Sequence, residues 1–187
     1  MQNAKVKRFI KEGRGQGTGR AYVPWVKTSD YSSKGRATRI QGIKTQRIHH
    51  LHSDNQLRAF LMFEYSDAII DIRESYPLLD VMEVIDDKEG LRLDKFTDAD
   101  GYPLVICTTF LLTVRGEIGE ERLVARSVKN TSEFSKKITL EKLEVERRYW
   151  EARGVDWKII TEKQLPRQLC ENIEWCRETL LEEMQEE

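Results

Sequence analysis

LVICTTFLLTVR (104–115), GEIGEE (116–121) and RLVARSVKN (122–130) decide the fold. The first run is β-branched and nearly all apolar, the second is turn chemistry, and in the third Leu123, Ala125 and Ser127 alternate with Val124, Arg126 and Val128. Two adjacent antiparallel strands joined by a short loop are predicted. Upstream, AIIDIRESYPLL (68–79) reads as a third strand that stops at Pro77, where the ring removes a ladder donor. Before it, Leu57, Phe60, Leu61 and Phe63 follow three-and-four spacing after Ser53 and Asp54, which can cap a first turn. Residues 80–103 are acidic and weakly periodic and predict a loop or irregular hairpin. Strong helix formers run from Leu140 to Arg153, with Gly154 as a stop. WKIIT (157–161) then predicts a strand, and Arg167 to Glu183 a last helix. The expected order is helix, three strands, helix, strand, helix.

Composition bounds the class. The chain has 187 residues, 39% hydrophobic and 34% charged, enough for one core under an ionic surface. No apolar run approaches a membrane span and the start lacks a secretory signal, so a cytoplasmic protein with no membrane partner is expected. Cys107, Cys170 and Cys176 form no CxxC pair, which points away from a disulfide framework or a zinc site.

The net charge of −1 conceals two opposite halves: residues 1–50 sum to +10 and the remainder to −11. The basic half is rich in Gly, Ser and Thr, and Arg14, Arg20, Lys27, Lys34, Arg36, Arg39, Lys44 and Arg47 are candidate contacts to a DNA backbone. The competing role for this stretch is to lie on the protein's own acidic surface. Tyr22 and Trp25 beside Pro24 are expected to pin it to the core. The glycines at 13, 15, 17 and 19 do not make a phosphate loop, because no Lys-Ser or Lys-Thr pair follows and no apolar strand precedes them. His49, His50 and His52 resemble a ligand cluster, but adjacent histidines on an extended segment seldom converge on one ion, and packing or phosphate contact is expected. The C-terminal glutamates are expected on a solvated helix face.

A three-strand meander, a crossover helix and a further strand form the core of restriction-endonuclease-like nucleases: an α/β fold with a mixed sheet flanked by helices. In such enzymes carboxylates hold magnesium, which polarises the phosphate and activates water, while a Lys on the third strand neutralises developing charge. RFIKEGRGQGTGRAYVPW (8–25), RIHHLHSDNQLRAFLMFEYSDAIIDIRESYPLLD (47–80), LEKLEVERRYWEARGVDW (140–157) and CENIEW (170–175) carry a resemblance to TnsA, the endonuclease subunit of heteromeric transposases in the Tn-seven class. The resemblance implies a basic extended N-terminal arm over 1–50 and a restriction-endonuclease-like domain over 51–187, without the family's C-terminal winged-helix domain. It further implies action at transposon-end DNA beside a DDE-type transposase, with an ATPase regulator as a further partner and magnesium as the family's cofactor.

The same resemblance places the family's catalytic Glu at Gln56 of SDNQL, its Asp at Thr109 of CTTFL, and its acceptor before the Lys at Ser127, with Lys129 retained. Neither an amide nor a hydroxyl carries charge, so magnesium binding at Gln56, Thr109 and Ser127 is expected to be weak and cutting impaired. The alternative is an active magnesium-dependent endonuclease that cuts the non-transferred strand with relocated acids, for which Asp54, Glu64, Asp98 and Asp100 are candidates. Against that stand their ordinary roles: capping for Asp54, a salt bridge for Glu64, solvation for the loop acids. A third possibility is a regulator that occupies the transposase without touching DNA.

Overall fold

The structure is a computed structural model that describes residues 3–30, 36–97 and 101–186. Its elements are α1 (Ala4–Lys11), β1 (Thr38–Gln41), β2 (Ile48–Leu51), α2 (Asp54–Tyr65), β3 (Ile69–Pro77), α3 (Val81–Val84), β4 (Cys107–Arg115), β5 (Glu121–Val128), α4 (Lys137–Ala152), β6 (Asp156–Ile160) and α5 (Arg167–Glu186). The main sheet has the order β3-β4-β5-β6. Its first three strands are antiparallel, and β6 joins parallel to β5 after the crossover through α4. This is the mixed α/β sheet and the helix and strand order expected from the sequence.

Alternation along the strands makes two apolar faces. On one, Ile72, Phe110, Leu112, Val124 and Val128 pack against Leu57, Phe60 and Leu61 of α2 and Cys170 and Ile173 of α5. On the other, Leu111 and Ala125 meet Val145, Tyr149 and Trp150 of α4 together with Leu78, Ile85 and Phe96 from the segment between β3 and β4. In that segment, expected as a loop or irregular hairpin, the described residues hold the four-residue α3, a short 3-10 turn at Leu93–Lys95 and an antiparallel bridge between Thr97 and Pro103.

The stretch expected as an extended arm is largely built into the body. Phe9, Tyr22 and Trp25 are buried, and β1 pairs with β2 in a hairpin that carries Leu51 into the core. Arg14 is buried within this glycine-rich stretch. Its guanidinium lies 3.6 Å from the centre of the Phe9 ring and binds Asp30, Glu12 and the Trp25 carbonyl. Gly15, at φ +74°, passes so close to Pro77 that a Cβ would lie 2.3 Å from its Cγ. The GRGQG run is therefore a tight wrap beside β3, in which left-handed glycines at 13, 15 and 17 let the backbone pass Pro77 and Ala21 closely. Lys34, expected as a DNA contact, and Asp98 and Asp100, candidates for relocated acids, lie outside the described residues.

Candidate functional site: a cleft at the end of β5

Where β5 ends, Lys129 enters a cleft of about 430 Å³ against the start of α2, lined also by Arg36, His52, Asp54, Arg58, Glu133 and Glu162. Three local features build it. Ser53 accepts a hydrogen bond from the Gln56 N–H and starts α2, so the helix begins at the cleft wall. The Lys129 N–H donates to the Ile160 carbonyl, extending the β5–β6 pairing by one residue. Beyond it, the Asn130 and Glu133 side chains form a capping box that fixes the turn at Thr131–Ser135.

The positions that the family resemblance singled out meet different fates. The Gln56 side-chain carbonyl accepts the His52 N–H at 2.8 Å, closing the first turn of α2 from its own side. The S-x-x-Q pattern of Ser53 to Gln56 points to a back-bond from Gln56 at this helix start, and here the bond falls one residue earlier, on the His52 N–H. The Thr109 hydroxyl accepts the Val128 N–H at 3.0 Å, taking a donor that the ladder leaves beyond its last pair, Phe110↔Arg126. Side-chain alternation also slips here. Phe110 faces α2, whereas Leu111 and Thr108 both face α4. On β3 the same slip falls at Ser75, which has φ 48°, between Glu74 on the hairpin side and Tyr76 against Trp150. Thr109 thus sits on a line where two neighbouring strands change faces together.

Ser127 turns away from the cleft into a buried polar chain. Its hydroxyl and that of Thr108 donate to Oε2 of Glu146 on α4, while the indole N–H groups of Trp157 and Trp150 donate to Ser127 and Thr108 at 2.9 and 2.8 Å. An indole can only donate, so each hydroxyl is obliged to pass its own proton on to the carboxyl. Burial pushes the Glu146 carboxyl above its usual range, opposed by Ser127, Lys129 and Thr108. Magnesium takes oxygen ligands and depends on carboxylates. Gln56, Thr109 and Ser127 supply no carboxylate, and each oxygen already serves a hydrogen bond within the chain, so these three positions do not fit the ion. Among the described residues no three His, Cys, Asp or Glu side chains come together in a metal-binding arrangement.

The remaining candidates separate. Glu64 is buried, bonded to the Arg177 Nε at 2.7 Å and to the Ile43 N–H. Asp54 stays at the cleft, 3.9 Å from Arg36. The three histidines diverge: His49 is buried against Glu74 and Thr45, His50 bonds Thr28, and His52 approaches the Val26 carbonyl. Of the expected DNA contacts, Arg14 is internal, Arg47 is buried in a two-pronged bond to Glu74, and Lys44 donates to the Ser66 and Ile69 carbonyls just past α2. Desolvation holds the Lys44 ammonium below its usual range. Arg20, Arg36 and Arg39 are exposed and Lys27 is half-buried. Among the seven of these that are described, only Arg36 lines the cleft with Lys129.

Glu74 was not anticipated from sequence. Its carboxyl takes Arg47, His49 and the His50 N–H, joining the β1–β2 hairpin to β3. Burial pushes its pKa up, but the hydrogen bonds from His49 and Arg47 outweigh burial and hold it at about 2. Glu146 and Arg58 were missed as well, the first for lying in a helix face that reads as ordinary ionic surface.

A mixed four-strand sheet between helices, with a lysine leaving the third strand into an open cleft, fits the class of endonuclease-like α/β domains. Residues 66–162 match the family described as TnsA-like endonuclease N terminal, a span that holds Thr109, Ser127 and Lys129 and leaves Gln56 outside. The chain is also similar to the Transposon Tn7 transposition protein TnsA of Escherichia coli, 40% identical over 189 residues that cover 100% of this chain and 67% of that protein. The chain belongs to the TnsA-like family.

Proposed function

We propose that this chain is a TnsA-like transposase subunit that binds DNA at transposon ends, beside a DDE-type transposase, and cuts that DNA weakly or not at all. The observation that carries this reading is the fate of Gln56, Thr109 and Ser127: all three oxygens serve internal hydrogen bonds, and none brings a charge to the cleft. Without paired carboxylates a divalent ion has little to hold it beside a phosphodiester, and the rate enhancement from an activated water is lost. Lys129 then serves as a phosphate contact. The test combines the protein with its transposase and transposon-end DNA in magnesium or manganese. Binding without strand cleavage supports the proposal; robust cleavage that disappears in Lys129→Ala overturns it.

A second reading has its own observation. Asp54, Glu133 and Glu162 line the same cleft as Lys129 without coming together as a metal-binding group, so an active magnesium-dependent endonuclease with relocated acids would have to draw them together on binding DNA. Its signature is cleavage lost in Asp54→Ala or Glu162→Ala while the protein stays folded.

A further inference from the structure

Two cations in the cleft lack a close partner, although Lys129 feels the charge of the buried Glu146 carboxyl behind it. Arg58, on the second turn of α2, and Lys129 are both half-buried, and neither side chain makes a hydrogen bond or close ion pair with a described residue. Elsewhere partly buried arginines are held: Arg14 by Asp30, Arg47 by Glu74, Arg177 by Glu64 and Arg126 by Asp156. Arg58 also lines an adjoining cleft between α2 and α5, where Arg36 and Asp54 recur and Arg167 joins them. The two clefts therefore form one trough with the free guanidinium at its centre.

The acids along this trough are largely engaged. Glu162 accepts the Thr131 N–H and hydroxyl, Glu133 accepts the Asn130 N–H, and Glu171 holds Arg167, while Glu174 lines the α2–α5 part of the trough without a hydrogen bond or ion pair to a described residue. Asp54 faces Arg36 across 3.9 Å between exposed side chains, a pairing of little strength. A half-desolvated guanidinium without a partner is an unbalanced charge, and a tetrahedral anion that accepts two of its N–H groups balances it.

We infer that Arg58, Lys129 and Arg36 hold a DNA phosphodiester directly in this cleft, without a bridging divalent ion. The inference deepens the proposed DNA-binding role and rests on it. With neutral residues at 56, 109 and 127, no carboxylate at those positions repels the phosphate, so a metal is not required to bring it to Lys129. Arg58 takes the bidentate position, Lys129 supplies a point charge from the strand end, and Arg36 closes the outer side. The trough continues past Arg58 towards Arg167, which suits a polymer backbone better than a single free phosphate.

The experiment measures anisotropy of a short fluorescein-labelled DNA duplex with the full chain across a salt series, once in EDTA and once in magnesium at matched ionic strength. The wild-type protein is expected to bind in EDTA at least as tightly as in magnesium. Arg58→Gln and Lys129→Gln are each expected to reduce the slope of log affinity against log salt by about one. Arg122→Gln, which removes an exposed charge at the far end of β5, is expected to leave the slope unchanged. Arg58→Lys, which keeps the charge and guards against a folding defect, is expected to preserve the slope while binding more weakly at a given salt. Displacement of the duplex by inorganic phosphate at low concentration would identify a small-anion site and overturn the assignment to DNA. Duplex binding with an unchanged slope in Arg58→Gln, or binding that requires magnesium, refutes the clamp while leaving DNA binding intact. No duplex binding by the wild-type protein at low salt removes both.

Discussion

At the scale of single residues, buried carboxylates divide the molecule's labour. Glu74 ties the hairpin to β3 through Arg47 and His49, and its pKa near 2 lies below the usual 4.5. A depressed carboxyl adds stability that is fully present above the unfolded value and lost as pH falls through the folded one. That contribution, about 3 kcal/mol by linkage, is expected to vanish between pH 4.5 and about 2, and acid unfolding followed by circular dichroism measures it. Glu74→Gln leaves Arg47 buried without its counter-charge. It is expected to lower stability by about 3 kcal/mol in urea unfolding at neutral pH, and to flatten the acid limb; an unchanged limb would show that Glu74 is not its source. Such residues are hard to see in a sequence, because Arg47 and Glu74 lie 27 positions apart with no shared pattern, and only the hairpin brings them together. Gln56, by contrast, lay in plain view as the fourth residue of an S-x-x-Q pattern at a helix start.

At the scale of elements, periodicity made β3, β4, β5, α4 and β6 legible, and their boundaries moved by no more than a turn. Strand alternation predicts which residues face which helix, but it fails at Ser75 and Thr109, where two strands change faces in step; no sequence period encodes a coordinated slip. The glycines of 13–19 were legible only as something other than a phosphate loop, because what they do depends on Pro77 and Ala21, contacts formed across the fold. Gly15→Ala would set a Cβ against the Pro77 ring at a left-handed φ, and is expected to destabilise the protein by about 2 kcal/mol or more, read as a lower thermal midpoint. Glu64 and Arg177 join α2 to α5 in the same manner, buried at 8% and 7% exposure. Glu64→Ala is expected to destabilise by about 3 kcal/mol, and Glu64→Ala with Arg177→Met by less, since the second change removes the orphaned charge. A double variant no more stable than the single would contradict that coupling.

At the scale of the whole molecule, the charge asymmetry is real in the sequence but folds differently from a free basic strap. Part of the N-terminal positive charge is consumed by Asp30, Glu12 and Glu74, and what reaches solvent is a smaller set in which Arg36 meets Lys129 and Arg58 at one cleft. No described helix is long and apolar enough to cross a membrane. Membership in the TnsA-like family supplies the endonuclease-like scaffold, and under the proposed function the side chains at 56, 109 and 127 set what it does. Placing acids at the family positions together, as Gln56→Glu with Thr109→Asp, is expected to strengthen magnesium binding relative to the parent chain, measured by titration calorimetry.

The most direct measurement is calorimetric titration of magnesium into the complex of this chain with transposon-end DNA. The account predicts only the heat of dilution and diffuse exchange with the DNA, identical in the wild-type protein and in Asp54→Ala. A saturable exchange of heat with defined stoichiometry, abolished by Asp54→Ala or Glu162→Ala in a folded protein, would contradict it.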